Sequence, residues 1–305
     1  MSDGNTGEGG GREFDRVASE LRARLTDGAY LVGSLLPSQR ALAEEFGVSR
    51  DTVQRVLREL ASEGWIVSRQ GSGSRVVRGQ NVHSQTSGRQ QGRVVTLRPL
   101  IDHAFERSEV TLDVFTLTSE SLDTHIRLQA ERIRLGEVAP RSIAVRMLLP
   151  AESLDPPYWR TGDAEDDRLL KVRYLDISRR HTASVRSVLR NLEAEGLVAS
   201  VSVRIRFVPL MPHAKLYLLN GSEAVHGPYR IYRRPIVLDN GTEIDQALDV
   251  VGVGAGLTHH VKDADDPSAP GSAFVDGMRE WFESAWELLT EQPATEAELR
   301  PPAPG

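Results

Sequence analysis

GSLLPSQRALAEEFGVSRDTVQRVLRELASEGWIVSRQGSGSRVV, residues Gly33 to Val77, is the stretch on which the reading of this chain turns. Ser38 follows Pro37 and precedes a helical run, where its hydroxyl can accept an orphan first-turn amide. Leu42, Ala43 and Phe46 form one apolar stripe, and Gly47 ends the helix and supplies a turn. Val48 plugs the corner, and Ser49 caps a second helix over residues 50–63. Its inward stripe is Val53, Val56, Leu57 and Leu60, and its other face shows Arg50, Asp51, Thr52, Gln54, Arg55 and Arg58. Gly64 stops it. Trp65-Ile66-Val67 and Arg75-Val76-Val77 then read as short strands about a turn at Gln70–Gly73. The order is helix, turn, helix, wing.

A capped helix after a glycine turn can enter the major groove of DNA with its first turn against base edges. Arg pairs bidentately with guanine and Gln with adenine. Helix amides and hydroxyls suit phosphates, which position without specifying. The segment resembles the DNA-binding domain of the GntR family of bacterial transcription regulators. The resemblance is carried by Gly33, LPSQR at 36–40, LA at 42–43, GVSRDTV at 47–53, Leu57, Leu60, Gly64 and GSGSRV at 71–76, about a fifth of the chain. It implies contact with double-stranded operator DNA through Arg40, Ser49, Arg50, Thr52 and Gln54; the exposed face of the helix adds Arg55 one turn on from its start. It also implies that Gly71, at the wing tip, approaches the minor groove.

The 305 residues exceed one ordinary core, so two domains are expected. The net charge of -6 argues weakly against a nucleic-acid partner, yet Gly33–Gly79 carries seven arginines against five acids. Lys171, Lys215 and Lys262 are the only lysines, so nearly all positive charge is Arg, whose planar fork suits phosphates and guanine edges. An Arg bias also arises from genome composition, so it does not by itself argue for DNA. With no cysteine, disulfides, thiolate zinc sites and Cys nucleophiles are excluded together. No apolar run reaches the ~18 residues of a membrane helix, and the start MSDGNTGEGGGRE lacks a signal-peptide core, so a cytoplasmic protein is expected.

Working outward, residues 1–12 read as a disordered tail, 13–78 as the winged helix-turn-helix, and 79–93 as a polar linker. Residues 94–290 read as an α/β domain that binds an effector or dimerises, and 291–305 as a second disordered tail. In the larger domain VTLDVFTL at 110–117, SIAVRMLL at 142–149, 201–208, 214–219, 229–238 and VVGVGAGL at 250–257 read as strands. Residues 122–135, 182–195 and 274–289 read as helices, with 155–168 a loop. Strands alternating with helices predict a mixed or largely parallel sheet. The fold class is therefore multi-domain α/β. VRSVLRNLEAEGLVAS at 185–200 echoes VQRVLRELASEGWIVS at 53–68. No LPSxR-like helix precedes the later copy and no Gly-rich wing follows, so it reads as an amphipathic helix ending in glycine.

His213-Ala-Lys215 resembles half of the HxK motif of the phospholipase D superfamily, in which His is the nucleophile and Lys binds phosphate. A His and a Lys two apart in a strand share a side. The helix and strands around the motif and the late aromatic helix also look similar to that fold. The acidic position seven residues after the His is Asn220 here, and HGPYRIYRR stands where Gly-Ser-x-Asn is usual. The resemblance thus implies a phospholipase D-like domain without catalytic residues, in which His213 and Lys215 bind an anion or effector. The enzymatic alternative is a phosphodiesterase or nuclease carried to DNA by the winged helix. His260-Val-Lys262 reads as chance, and His259, His260, Asp263, Asp265 and Asp266 match no defined metal-ligand set. No phosphate loop, dinucleotide fingerprint or nucleophile elbow is present, so no cofactor, metal or catalytic residue is expected. The expected partners are operator DNA, a small-molecule or protein effector, and a second copy in a homodimer, with no membrane.

Overall fold

In the computed structural model, Ser38 and Gly47 bracket a short helix by opposite means. The described residues are 7–26, 29–30, 34–62, 65–69, 73–76, 81–84, 97–251 and 256–290. Helix α1 spans Gly7–Thr26, α2 spans Gln39–Phe46 and α3 spans Arg50–Ser62. The Ala41 amide donates to Ser38 Oγ at 3.2 Å. Gly47 takes φ +65°, a conformation that only glycine adopts without strain, and its amide closes onto the Ala43 carbonyl. Strands β1 (Ile66–Arg69) and β2 (Gly73–Val76) pair antiparallel, and Leu35 bridges to Arg75 as a third short rung. Val17, Leu21 and Leu25 of α1 meet Leu42 and Phe46 of α2, Val53, Val56 and Leu60 of α3, and Trp65 and Val76 in one core. Residues 7–12, expected within an N-terminal tail, belong to α1, and residues 1–6 lie outside the described residues.

The larger domain is built on a seven-stranded sheet. Its strands are β3 (Asn81–Ser84), β4 (Glu109–Phe115), β5 (Ser142–Pro150), β6 (Ser200–Val208), β7 (Ala214–Leu219), β8 (Glu223–Pro228) and β11 (Gly256–Val261). Their order is β3-β11-β8-β7-β4-β5-β6. β4, β5 and β6 run parallel, whereas β7 is antiparallel to β4, and β8 to β7. The sheet is mixed. Strands β9 (Arg230–Val237) and β10 (Glu243–Val251) form a separate antiparallel hairpin with a register shift between Ile244 and Ala247.

Helices α4 (Leu97–Ala104), α5 (Glu120–Arg134), α6 (Ala164–Ala194) and α7 (Pro270–Leu288) complete the domain. Val110, Leu112 and Val114 of β4 pack with Ile126 and Ile133 of α5 and with Val185, Leu189 and Leu192 of α6. The other face of the sheet, with Phe115, Leu148, Leu216 and Leu218, packs on Val275, Phe282 and Trp286 of α7. The domains also meet directly. Helix α1 packs against α3 on one side and against α5 on another. Arg98 of α4 reaches Glu20 of α1 at 3.9 Å.

Three sequence expectations are corrected. Residues 81–84, placed in the linker, form β3 beside β11, because a strand added at a sheet edge needs only backbone partners and so leaves little side-chain pattern to read. Residues 164–181, read as loop and unassigned chain, are the first half of α6, which Asp163 caps by accepting from the amides of Glu165 and Asp166. The single strand expected over 250–257 is instead the end of β10 and the start of β11, with 252–255 outside the described residues. The echo of α3 within α6 is a core helix: its apolar stripe is buried against the sheet.

Candidate nucleic-acid interface

The start of α3 is fixed by a local bond network. Ser49 Oγ accepts from the Thr52 amide at 3.1 Å and lies 2.9 Å from Thr52 Oγ1. This satisfies one of the orphan amides that every helix start exposes. The remaining first-turn groups face outward, and Arg50, Asp51 and Gln54 are exposed. Arg40, near the start of α2, is exposed as well. Polar and cationic side chains therefore project from the face opposite the Val53–Val56–Leu60 stripe, on a helix start held by packing.

Thr52 does not belong to that outward set. It is 6% exposed, and its hydroxyl faces Ser49. Its contribution is to shape the helix start. Arg55 is exposed, with its guanidinium 4.9 Å from the ring centroid of Phe14 on α1, a cation–π contact that orients it toward α1. Gly71 lies outside the described residues, between β1 and β2. Ser68 and Ser74, opposite each other in the wing, share a hydroxyl contact of 2.8 Å.

Two further ion pairs brace the helices behind this face. Arg22 of α1 donates to Glu59 of α3, and Arg24 of α1 donates to Glu45 of α2. Arg16 also donates to the Phe46 carbonyl at 2.7 Å, covering the end of α2. Sequence reasoning missed these groups, although basic residues at 16, 22 and 24 on α1 opposite Glu45 and Glu59 were the available signal.

His213 stands just before β7, where its carbonyl accepts from the Tyr229 amide at 2.9 Å and its side chain is exposed. Lys215 is 4% exposed and donates to Ser121 Oγ at 3.0 Å. Asn220 lies beyond the far end of β7, where it takes φ +51°, accepts from the Thr111 amide and donates to the Ala104 carbonyl. It is a structural latch. His259 Nε2 and Glu223 Oε2 are 2.7 Å apart and pin β11 to β8, and Lys262 pairs with Asp276 of α7 at 2.8 Å. Among the described residues no group of three or more His, Asp or Glu side chains is placed to hold a metal, and no helix is long and apolar enough to cross a membrane.

These features define a winged helix-turn-helix DNA-binding domain at the N-terminus. Residues 14–76 match the family described as "Bacterial regulatory proteins, gntR family", and this domain is a member of it. The Exu regulon transcriptional regulator of Escherichia coli (strain K12) is 40% identical over 76 residues, which are 25% of this chain and 30% of that protein. The Uxu operon regulator of Haemophilus influenzae is 34% identical over 77 residues, 25% of this chain and 29% of that protein. The chain thus spans less than a third of the length of these relatives. Among solved structures, the DNA-binding domain of AraR in complex with operator ORR3 is 31% identical, covering 21% of this chain and 78% of that chain with a TM-score of 0.21.

Proposed function

We propose that the chain is a transcription regulator that binds double-stranded operator DNA through the start of α3. Its C-terminal domain senses an effector, dimerises, or does both. The observation that carries this reading is the Ser49-capped start of α3, with Arg50 and Gln54 exposed beside Arg40 on a gntR-family domain. Relatives of that domain are named as regulators of the Exu regulon and the Uxu operon, and the AraR domain was solved on operator DNA.

One winged helix buries little surface, so specific affinity favours two copies on two half-sites. A homodimer in the cytoplasm is the arrangement that follows. A gel shift of the full chain against DNA from its own promoter region tests the reading. A shifted band lost in Arg50→Ala supports it, and equal binding to unrelated DNA counts against it.

The phospholipase D-type reading needs His213 and Lys215 to face one phosphate. It is the second reading, with His213 exposed and Lys215 buried.

A further inference from the structure

A groove of about 410 Å³ lies at one end of the seven-stranded sheet, between α6 and the edge strand β6. That volume falls within the roughly 300–1,000 Å³ of small-molecule sites. Among the described residues β6 pairs only with β5, so the sheet stops there, and α6 packs across that end. Leu149 of β5 is in register with Phe207 of β6, and Ile205 stands two residues before Phe207, so the three side chains share one side of the sheet. They are buried and form an apolar floor. Opposite them, Ser178, Thr182 and Arg186 recur every four residues, which stacks them on one face of α6. The exposed Arg179 and Ala183 stand at the mouth, where Arg179 donates to both carboxylate oxygens of Glu152.

Two polar groups of this groove have nothing to bond within the fold. The Thr182 hydroxyl is buried and has no hydrogen-bond partner among the described residues, which costs free energy. The Arg186 guanidinium is half-buried and makes no hydrogen bond or ion pair with a described residue. Burial and the like charge of Arg190 both weaken its hold on its proton. Glu152, the carboxylate of the wall, is taken up by Arg179. A guanidinium accepts a carboxylate through two parallel hydrogen bonds, and one monoanion matches its charge, whereas a phosphate monoester brings close to two charges. We infer that this groove binds an amphipathic organic monocarboxylate, its chain or ring on Leu149, Ile205 and Phe207 and its carboxylate on Arg186 and the Thr182 hydroxyl. This rests on reading the C-terminal domain as sensory, and it gives that domain a ligand class and a site. Helix α6 packs on α5, and α5 on α1, so helix contacts join the groove to the N-terminal domain.

The test is calorimetry on the full chain without DNA. The probes are octanoate and 4-phenylbutyrate, with 1-octanol as the uncharged counterpart, acetate as the head without a body, and octyl phosphate as the doubly charged head. At least one of the two apolar carboxylates should bind, with 1-octanol and acetate each at least about tenfold weaker, because a hydrogen bond to a charged group contributes about tenfold or more in affinity. Octyl phosphate should also bind more weakly than octanoate. Arg186→Gln, at a half-buried helix position whose side chain bonds nothing among the described residues, should fold as the wild type does and weaken the carboxylate about tenfold or more. Ser178→Met, which fills the groove from the same face of α6, should weaken it severalfold. Absence of millimolar binding by both carboxylates, equal binding of 1-octanol, tighter binding of octyl phosphate, or wild-type affinity in Arg186→Gln overturns the inference. Operator binding by the unliganded protein is measured separately. Its failure would sink the regulator reading and leave the calorimetry standing, and the reverse result would do the opposite.

Discussion

Arg22 on α1 donates to Glu59 on α3, so the helix that touches the larger domain is bonded to the helix that carries the exposed Arg50 and Gln54. Arg22 is buried, and Glu59 is partly exposed. Glu59→Ala removes an acceptor of a buried guanidinium and should destabilise the N-terminal domain by about 1–3 kcal/mol. Thermal unfolding of the variant should show a melting temperature lower by several degrees. An unchanged melt would mean that Arg22 has equivalent support elsewhere.

The position of Thr52 separates two kinds of α3 variant. Arg50→Ala and Gln54→Ala should weaken operator binding by about 1–3 kcal/mol each, with little effect on the melt, because both side chains are exposed. Thr52→Val should lower the melt through loss of its contact with Ser49, with a smaller direct effect on base readout. Anisotropy titrations beside melting curves read both quantities. A Thr52→Val protein that melts like the wild type but has lost operator specificity would return Thr52 to the contact set. Affinity should also fall steeply with salt if α3 and its neighbours neutralise phosphates.

Gly47 is expected to tolerate no side chain for reasons of backbone alone. A Cβ added there meets nothing within 4 Å, yet φ is +65°. Gly47→Ala should therefore cost about 1–2 kcal/mol through left-handed strain with no clash. Gly47→Asn should recover part of it, since Asn visits that region readily. Equal stability of the Ala and Gly proteins would show that the turn relaxes.

The pH profile has a definite sign. His125 is completely buried, and both ring nitrogens lack a partner among the described residues. Burial, with the charges of Arg98 and Lys215 adding to it, pushes the imidazole down from 6.5 to about 3. Between those values the unfolded chain binds a proton that the folded chain refuses. Stability therefore rises with pH across the window and is lost as pH falls from 6.5 toward 3, by up to about 1.4 kcal/mol per pH unit. His226 and His260, also lowered by burial, add to the same slope. Burial opposes ionisation of Asp123, yet His181 and Arg127 hold its carboxylate below 3.8, so its contribution is lost only in stronger acid. Urea titrations at pH 4.5 and 7 should show a smaller pH difference in His125→Leu than in the wild type. An equal difference would place the proton uptake on other groups.

The N-terminal domain was legible because its determinants are local. Ser38, Gly47 and Ser49 act on amides within three or four positions, and the apolar stripes repeat at helical spacing. The burial of Thr52 could not be read from the sequence, because a hydroxyl on the first turn can face either outward or the cap, and only packing decides. The first half of α6 was hidden because it buries little beyond Leu170 and Tyr174, too sparse a stripe to read as a period. β10 was missed because its register shifts near Gln246, at φ +57°, which breaks the alternation that marks a strand. The groove beside Arg186 draws its wall from β5, α6 and β6 together, so no local pattern announces it.

Helix α1 is shared between the two domains: it packs on α3 and on α5, and its Glu20 meets Arg98 of α4. The reading head is therefore not an interchangeable cartridge. A chimera joined within 79–93 would set a foreign α1 surface on α5, or leave this one bare in solvent. Exchange of the N-terminal domain's binding surface is better made by grafting α2, α3 and the wing while α1 stays with the domain on which it rests.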